Sequence, residues 1–108
     1  MDDSEFIRRS DECLQRVARW LEGFDPDEVD YSSADGSVTI EFPDGARFIL
    51  SRQSATRQVW LAAGAHGWHF DWDAKTGRWV DDKDGRELYA RLASAIAEKL
   101  GHDVEPPA

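Results

Sequence analysis

Cysteine and methionine occur once each among these 108 residues, and histidine three times. The lone thiol, Cys13, excludes an internal disulfide and any cluster of thiolates for zinc or an iron–sulfur centre within one chain. Three imidazoles are too few for a closed, nitrogen-rich metal site. There is also no Gly-rich phosphate loop, HExxH helix or nucleophile elbow, so no conventional catalytic constellation is visible. No apolar run approaches the length of a membrane-spanning helix. The start Met1-Asp2-Asp3-Ser4-Glu5 is the opposite of the basic start of a signal peptide, and the expectation is a cytoplasmic protein. Positive charge is scarce as well: 13 Lys and Arg face 22 Asp and Glu, a net charge of −9. That balance argues against nucleic acid or an anionic membrane as a partner.

What is present is the composition of one folded domain, 41 % hydrophobic with five tryptophans, and not that of a disordered acidic tail. The charge is unevenly spread. Residues 1–44 hold thirteen acids and four bases, whereas residues 45–108 balance nine against nine. The densest stretch runs from Glu22 to Asp30, with five carboxylates in nine residues and no base. Carboxylates this close repel one another, and a hard cation or a basic protein surface would relieve them.

Phe6, Cys13, Val17, Leu21 and Phe24, with Leu14 and Trp20 beside them, recur at three- and four-residue spacing. They predict a helix from about Ser4, as N-cap, to about Gly23, as stop. Asp11 and Glu22 share a polar edge of that helix but lie roughly 16 Å apart along its axis, so they cannot share one ion. The period then changes to two. Val38, Ile40 and Phe42 alternate with Thr39 and Glu41 between the turn signals Asp35-Gly36 and Pro43-Asp44-Gly45. Further strands are predicted at Val29–Ser33, Ala46–Arg52, Gln58–Ala62, Trp68–Asp73 and Arg78–Asp82. From Asp84 the helical period returns through Leu88, Leu92, Ile96 and Leu100, ending at Gly101. The order predicts an α+β sandwich: two helices on one face of a five- to six-stranded antiparallel sheet. Residues 1–101 form the domain and 102–108 a loose tail. Strict alternation points Thr39, Glu41, Arg47, Ile49, Ser51, Gln53, Gln58, Trp60, His69 and Asp71 toward solvent, which leaves a large aromatic, Trp60, on the open face.

Several segments together resemble a known family. They are Asp3-Ser4-Glu5-Phe6, the acidic run from Glu22 to Asp30, Asp35 to Phe42, Ser51-Arg52-Gln53, Gln58-Val59-Trp60-Leu61-Ala62, Trp68-His69-Phe70-Asp71, and Trp79-Val80 followed by Asp84-Gly85. Across the whole chain up to the tail, this pattern is similar to bacterial frataxins of the CyaY type. The resemblance implies a frataxin-like α/β sandwich. It implies weak, exchangeable binding of iron (Fe2+ or Fe3+), or of other hard divalent cations, through an acidic ridge. It also implies association with the cysteine desulfurase and scaffold protein of iron–sulfur cluster assembly, where the family acts as a regulator or iron chaperone. Carried over, the ridge comprises Glu22, Asp25, Asp27, Glu28 and Asp30, with Asp11 further up the helix. The partner-binding sheet surface comprises Ser51, Gln53, Gln58, Trp60 and His69. Ala18 and Arg19 stand where enteric relatives place paired glutamates, Ser32 replaces an acid on the first strand, and Gly23 stands where an acid is common. The ridge is therefore thinner at its helical end.

Dispersed carboxylates on a helix end, a loop and a strand edge each offer one or two oxygens, with water supplying the rest, which predicts weak and poorly selective binding. The main expectation is a non-enzymatic regulator, monomeric, with iron-dependent oligomers as a further state. Two alternatives compete with it. One is a slow ferroxidase or iron-storage protein, although the paired Glu-x-x-His motifs of a di-iron centre are missing. The other is an acidic adaptor with no metal role.

Overall fold

The computed structural model describes Met1–Ala108. The chain opens with helix α1 (Asp3–Leu21). Strands β1 (Asp30–Ala34), β2 (Ser37–Glu41), β3 (Arg47–Gln53), β4 (Gln58–Ala63), β5 (His66–Asp73) and β6 (Arg78–Asp81) follow, and helix α2 (Leu88–Leu100) closes the fold. The six strands form one antiparallel sheet in sequential order. This is the predicted sandwich, with the sheet at the upper of the two expected strand counts.

Helix α1 forms because Phe6, Ser10, Cys13, Leu14, Val17 and Leu21 give it one buried stripe. Its N-cap is Asp2, not Ser4: the Asp2 carboxylate accepts the Glu5 N–H at 2.7 Å. An anionic oxygen suits the positive end of a helix better than a hydroxyl two residues further in. The α-helix ends at Leu21, two residues before Gly23. The chain tightens there into i→i+3 bonds, Gly23 N–H to Trp20 O and Phe24 N–H to Leu21 O, both at 3.1 Å. Helix α2 is capped by Glu87, whose carboxylate accepts the Tyr89 and Ala90 N–H groups. It stops at Gly101, whose φ of 80° is open to glycine without strain.

Alternation in the strands places Val38, Ile40, Phe48, Leu50, Val59, Leu61 and Phe70 inward, all 6 % exposed or less. They pack with the buried stripe of α1 and with Leu88, Leu92 and Ile96 of α2 in one core. Both helices lie on this face, leaving the other face of the sheet uncovered. Strand β5 begins at His66, two residues before the sequence expectation, because Ala63 pairs with His66 across a two-residue turn. The final residues are not loose. Pro107 is buried, Val104 packs against the core edge, and the Glu105 and Ala108 carbonyls accept bonds from Trp20 Nε1 (3.0 Å) and Arg16 (2.9 Å). Two prolines restrict the backbone of this segment, which lowers the entropy cost of laying it along α1.

Candidate functional site

The acidic segment leaves α1, turns, and enters the edge strand β1. Asp25 organises the turn: its carboxylate accepts the Asp27 N–H and its carbonyl accepts the Glu28 and Val29 N–H groups, each at 2.9 Å. The turn buries Val29 and leaves Asp25, Asp27 and Glu28 in solvent. Glu22, on the helix end, accepts the Tyr31 hydroxyl at 2.8 Å, which ties α1 to β1. That carboxylate pushes the Tyr31 phenol above its ordinary pKa, because a phenolate there would face a negative charge. Asp30 accepts the neighbouring Tyr31 N–H at 2.8 Å.

None of these five acids pairs with a lysine or arginine; Glu28 alone has a possible cation nearby, His102 at 3.6 Å. Seven acids outside the segment are paired with a base. Glu5, Asp3, Asp11, Asp35, Asp44, Asp81 and Asp84 all lie against arginine or lysine. Asp11 thus stands apart from the rest of the predicted ridge. Its carboxylate is engaged by Arg52, which also donates from Nε to the buried Ser10 hydroxyl at 3.0 Å. No three carboxylate, imidazole or thiolate groups come together as a metal-holding set. The edge therefore offers hard oxygen donors singly.

The uncovered sheet face carries the second group of predicted residues, and antiparallel register aligns them in rows. Ser51 lies opposite Trp60 and Trp60 opposite His69, while Gln53 lies opposite Gln58. The Trp60 indole is half-buried and lies flat on the His69 imidazole, with ring centroids 4.1 Å apart and planes 11° apart. Its Nε1–H donates to Gln58 Oε1 at 2.9 Å. Gln58 Nε2 in turn donates to Asp71 at 3.0 Å and Asp82 at 3.1 Å, and Gln53 donates to Ser51 at 3.0 Å. Neither arginine near Trp60 in sequence covers it. Arg52 turns to the helix side and Arg57 pairs with Asp3. Beside Trp60, Ile49 is 42 % exposed, and Ala62 and Gly67 leave a shallow recess of about 180 Å³. The result is an aromatic platform with a small apolar hollow, held by polar groups, and this composition suits a protein contact.

His66 and His69, three apart on β5, stack on different tryptophans, Trp68 and Trp60, and do not form a metal pair. Cys13 is 1 % exposed, and burial pushes its thiol up to about 12, so it is an inert core residue. Sequence reasoning missed Asp81, an acid only 5 % exposed at the end of β6. Its carboxylate accepts the Lys83 N–H at 2.7 Å and lies 3.5 Å from Arg91, holding the loop that leads to α2. It also missed Asp82, whose link to Gln58 joins residues 24 positions apart. Extending the β5–β6 register past Asp81 would have placed Asp82 beside His69.

Comparison with known proteins agrees with this architecture. Residues 1–102 match the family model for the frataxin-like domain. The iron–sulfur cluster assembly protein CyaY of Azotobacter vinelandii is 37 % identical over 107 residues, which span 99 % of this chain and 96 % of that protein. Frataxin from Psychromonas ingrahamii superposes with a TM-score of 0.86 at 34 % identity, covering 97 % of each chain. Trimeric frataxin from the yeast Saccharomyces cerevisiae, complexed with ferrous iron, superposes with a TM-score of 0.74 over 86 % of each chain; at 24 % identity this likeness speaks to the fold alone. On sequence, fold and near-complete coverage together, the chain belongs to the frataxin-like family, alongside bacterial CyaY proteins.

Proposed function

We propose that this protein is a cytoplasmic, monomeric regulator and iron chaperone of iron–sulfur cluster assembly. In this reading it carries iron weakly on Glu22, Asp25, Asp27, Glu28 and Asp30, and docks on the cysteine desulfurase and its scaffold through that edge and the Trp60 face. The observation that carries the reading is the missing counter-charge. All five acids of this contiguous group lack a lysine or arginine partner, whereas seven acids elsewhere in the fold have one. A surface left uncompensated attracts cations and basic proteins, and open coordination lets a carried ion leave. The role of the Azotobacter relative in iron–sulfur cluster assembly supports the same direction.

The test is a ferrous titration of the wild type and of Asp25→Asn/Asp27→Asn/Asp30→Asn. The triple variant is expected to lose most of the binding, and superimposable isotherms would remove the edge as the iron site. A second reading, an acidic docking surface with no metal role, draws on the absence of any three-ligand group. It predicts that the triple variant loses desulfurase affinity while wild-type affinity is the same with and without iron.

A further inference from the structure

The Gln58 amide is held in one orientation by three partners of fixed character. An indole N–H can only donate, so the atom facing Trp60 must be the amide oxygen; ionised carboxylates can only accept, so the atom facing Asp71 and Asp82 must be the amide nitrogen. A flipped amide would set N–H against N–H and oxygen against two carboxylates. From this geometry we infer that Asp82 is a positioning residue for the Trp60 contact. Acting through Gln58, it fixes the indole in the pose presented to the partner. The inference rests on the proposed docking role of Trp60.

Asp82 is placed for this task by its backbone. It lies just past the end of β6, where its N–H donates to the His69 carbonyl at 2.9 Å, so it is anchored to the strand residue on which Trp60 stacks. Its side chain then reaches diagonally across β5 to Gln58. The indole is thereby restrained in two directions: His69 supports its face and Gln58 holds its N–H. Without Asp82, Asp71 alone secures the amide, and Gln58 can rotate away from Trp60. A side chain that must be immobilised on binding costs about 0.5–1.5 kcal/mol, equivalent to a loss of roughly 2- to 12-fold in affinity.

The experiment compares Asp82→Ala, Asp82→Asn and Trp60→Ala in the full chain by two measurements. One is the NMR resonance of the Trp60 indole N–H, and the other is affinity for the desulfurase. Asp82→Ala is expected to shift and broaden the indole resonance and weaken binding roughly 2- to 12-fold, with an unchanged Tm. Asp82→Asn, which retains an acceptor for Gln58 but no charge, is expected to restore most of both. An unmoved indole resonance in Asp82→Ala overturns the positioning step, and equal losses in Asp82→Ala and Asp82→Asn assign the effect to charge and overturn it too. Full affinity in Trp60→Ala instead overturns the docking reading beneath it, whatever the resonance does.

Discussion

Replacing Arg52 by methionine tests how α1 is held to the sheet. The guanidinium is an inward-facing charge on β3, with its side chain 13 % exposed, and it meets three acceptors from two other elements. Ser10 is fully buried and receives the Nε–H at 3.0 Å; a charged donor to a buried hydroxyl contributes about 1.5–3 kcal/mol. The Asp11 carboxylate is 44 % exposed, so that ion pair adds up to about 1 kcal/mol. Asp35, 99 % exposed and 3.8 Å away, adds close to nothing. Methionine keeps the apolar stem, so the change isolates the polar contribution, about 2–4 kcal/mol in all. For a chain of this length 1 kcal/mol corresponds to about 4–5 °C, and Tm is expected to fall by roughly 9–18 °C. Calorimetry and guanidinium denaturation would read the loss. Arg52→Lys should recover only part of it, because an ammonium cannot span the same acceptors. A double-mutant cycle with Asp11→Asn should show a coupling of up to about 1 kcal/mol. A Tm within about 2 °C of wild type would refute the claim that this clasp secures the helix.

Asp44 carries a pH signature. Chiefly through the Lys99 ammonium, and also through the Ala46 N–H, its carboxyl is held below its ordinary value of 3.8. A lowered folded-state pKa stabilises the fold above 3.8 and stops doing so as pH falls through the folded value. Asp44→Asn is therefore expected to have a lower Tm than wild type at pH 7, with the difference closing as pH falls below 3.8 and through the lowered folded value and shrinking at high salt. A difference that grows on acidification would reverse the sign and sink the assignment. Desulfurase binding should weaken as salt rises, since the uncompensated edge acts through its summed field and screening sets in at about 10 Å in 0.1 M salt. An affinity constant from low to high salt would contradict a docking role for the edge.

The architecture was legible because hydrophobic period is a local property. Phe6 to Leu21 and Leu88 to Leu100 repeat as helices, Val38-Ile40 and Phe48-Leu50 alternate as strands, and Trp60 falls outward from the alternation alone. Boundaries were less legible. Asp2 and Ser4 are both competent caps, and the weak strand formers Ala65, His66 and Gly67 gave no sign that β5 starts at His66. The acidic edge was visible as composition, but its lack of basic partners depends on where every arginine folds. Nothing local says that Arg52 takes Asp11 out of the ridge, or that Asp82 reaches Gln58. Nor does the doubled proline in the tail announce its contacts with Trp20 and Arg16.

The most direct test of the central claim is cysteine desulfurase activity measured across an iron titration, with wild-type protein, with Asp25→Asn/Asp27→Asn/Asp30→Asn, and with neither. A regulatory role carried by the acidic edge predicts that wild-type protein changes the activity in an iron-dependent way and that the triple variant loses that dependence. Activity that follows the same curve in all three arms would contradict it.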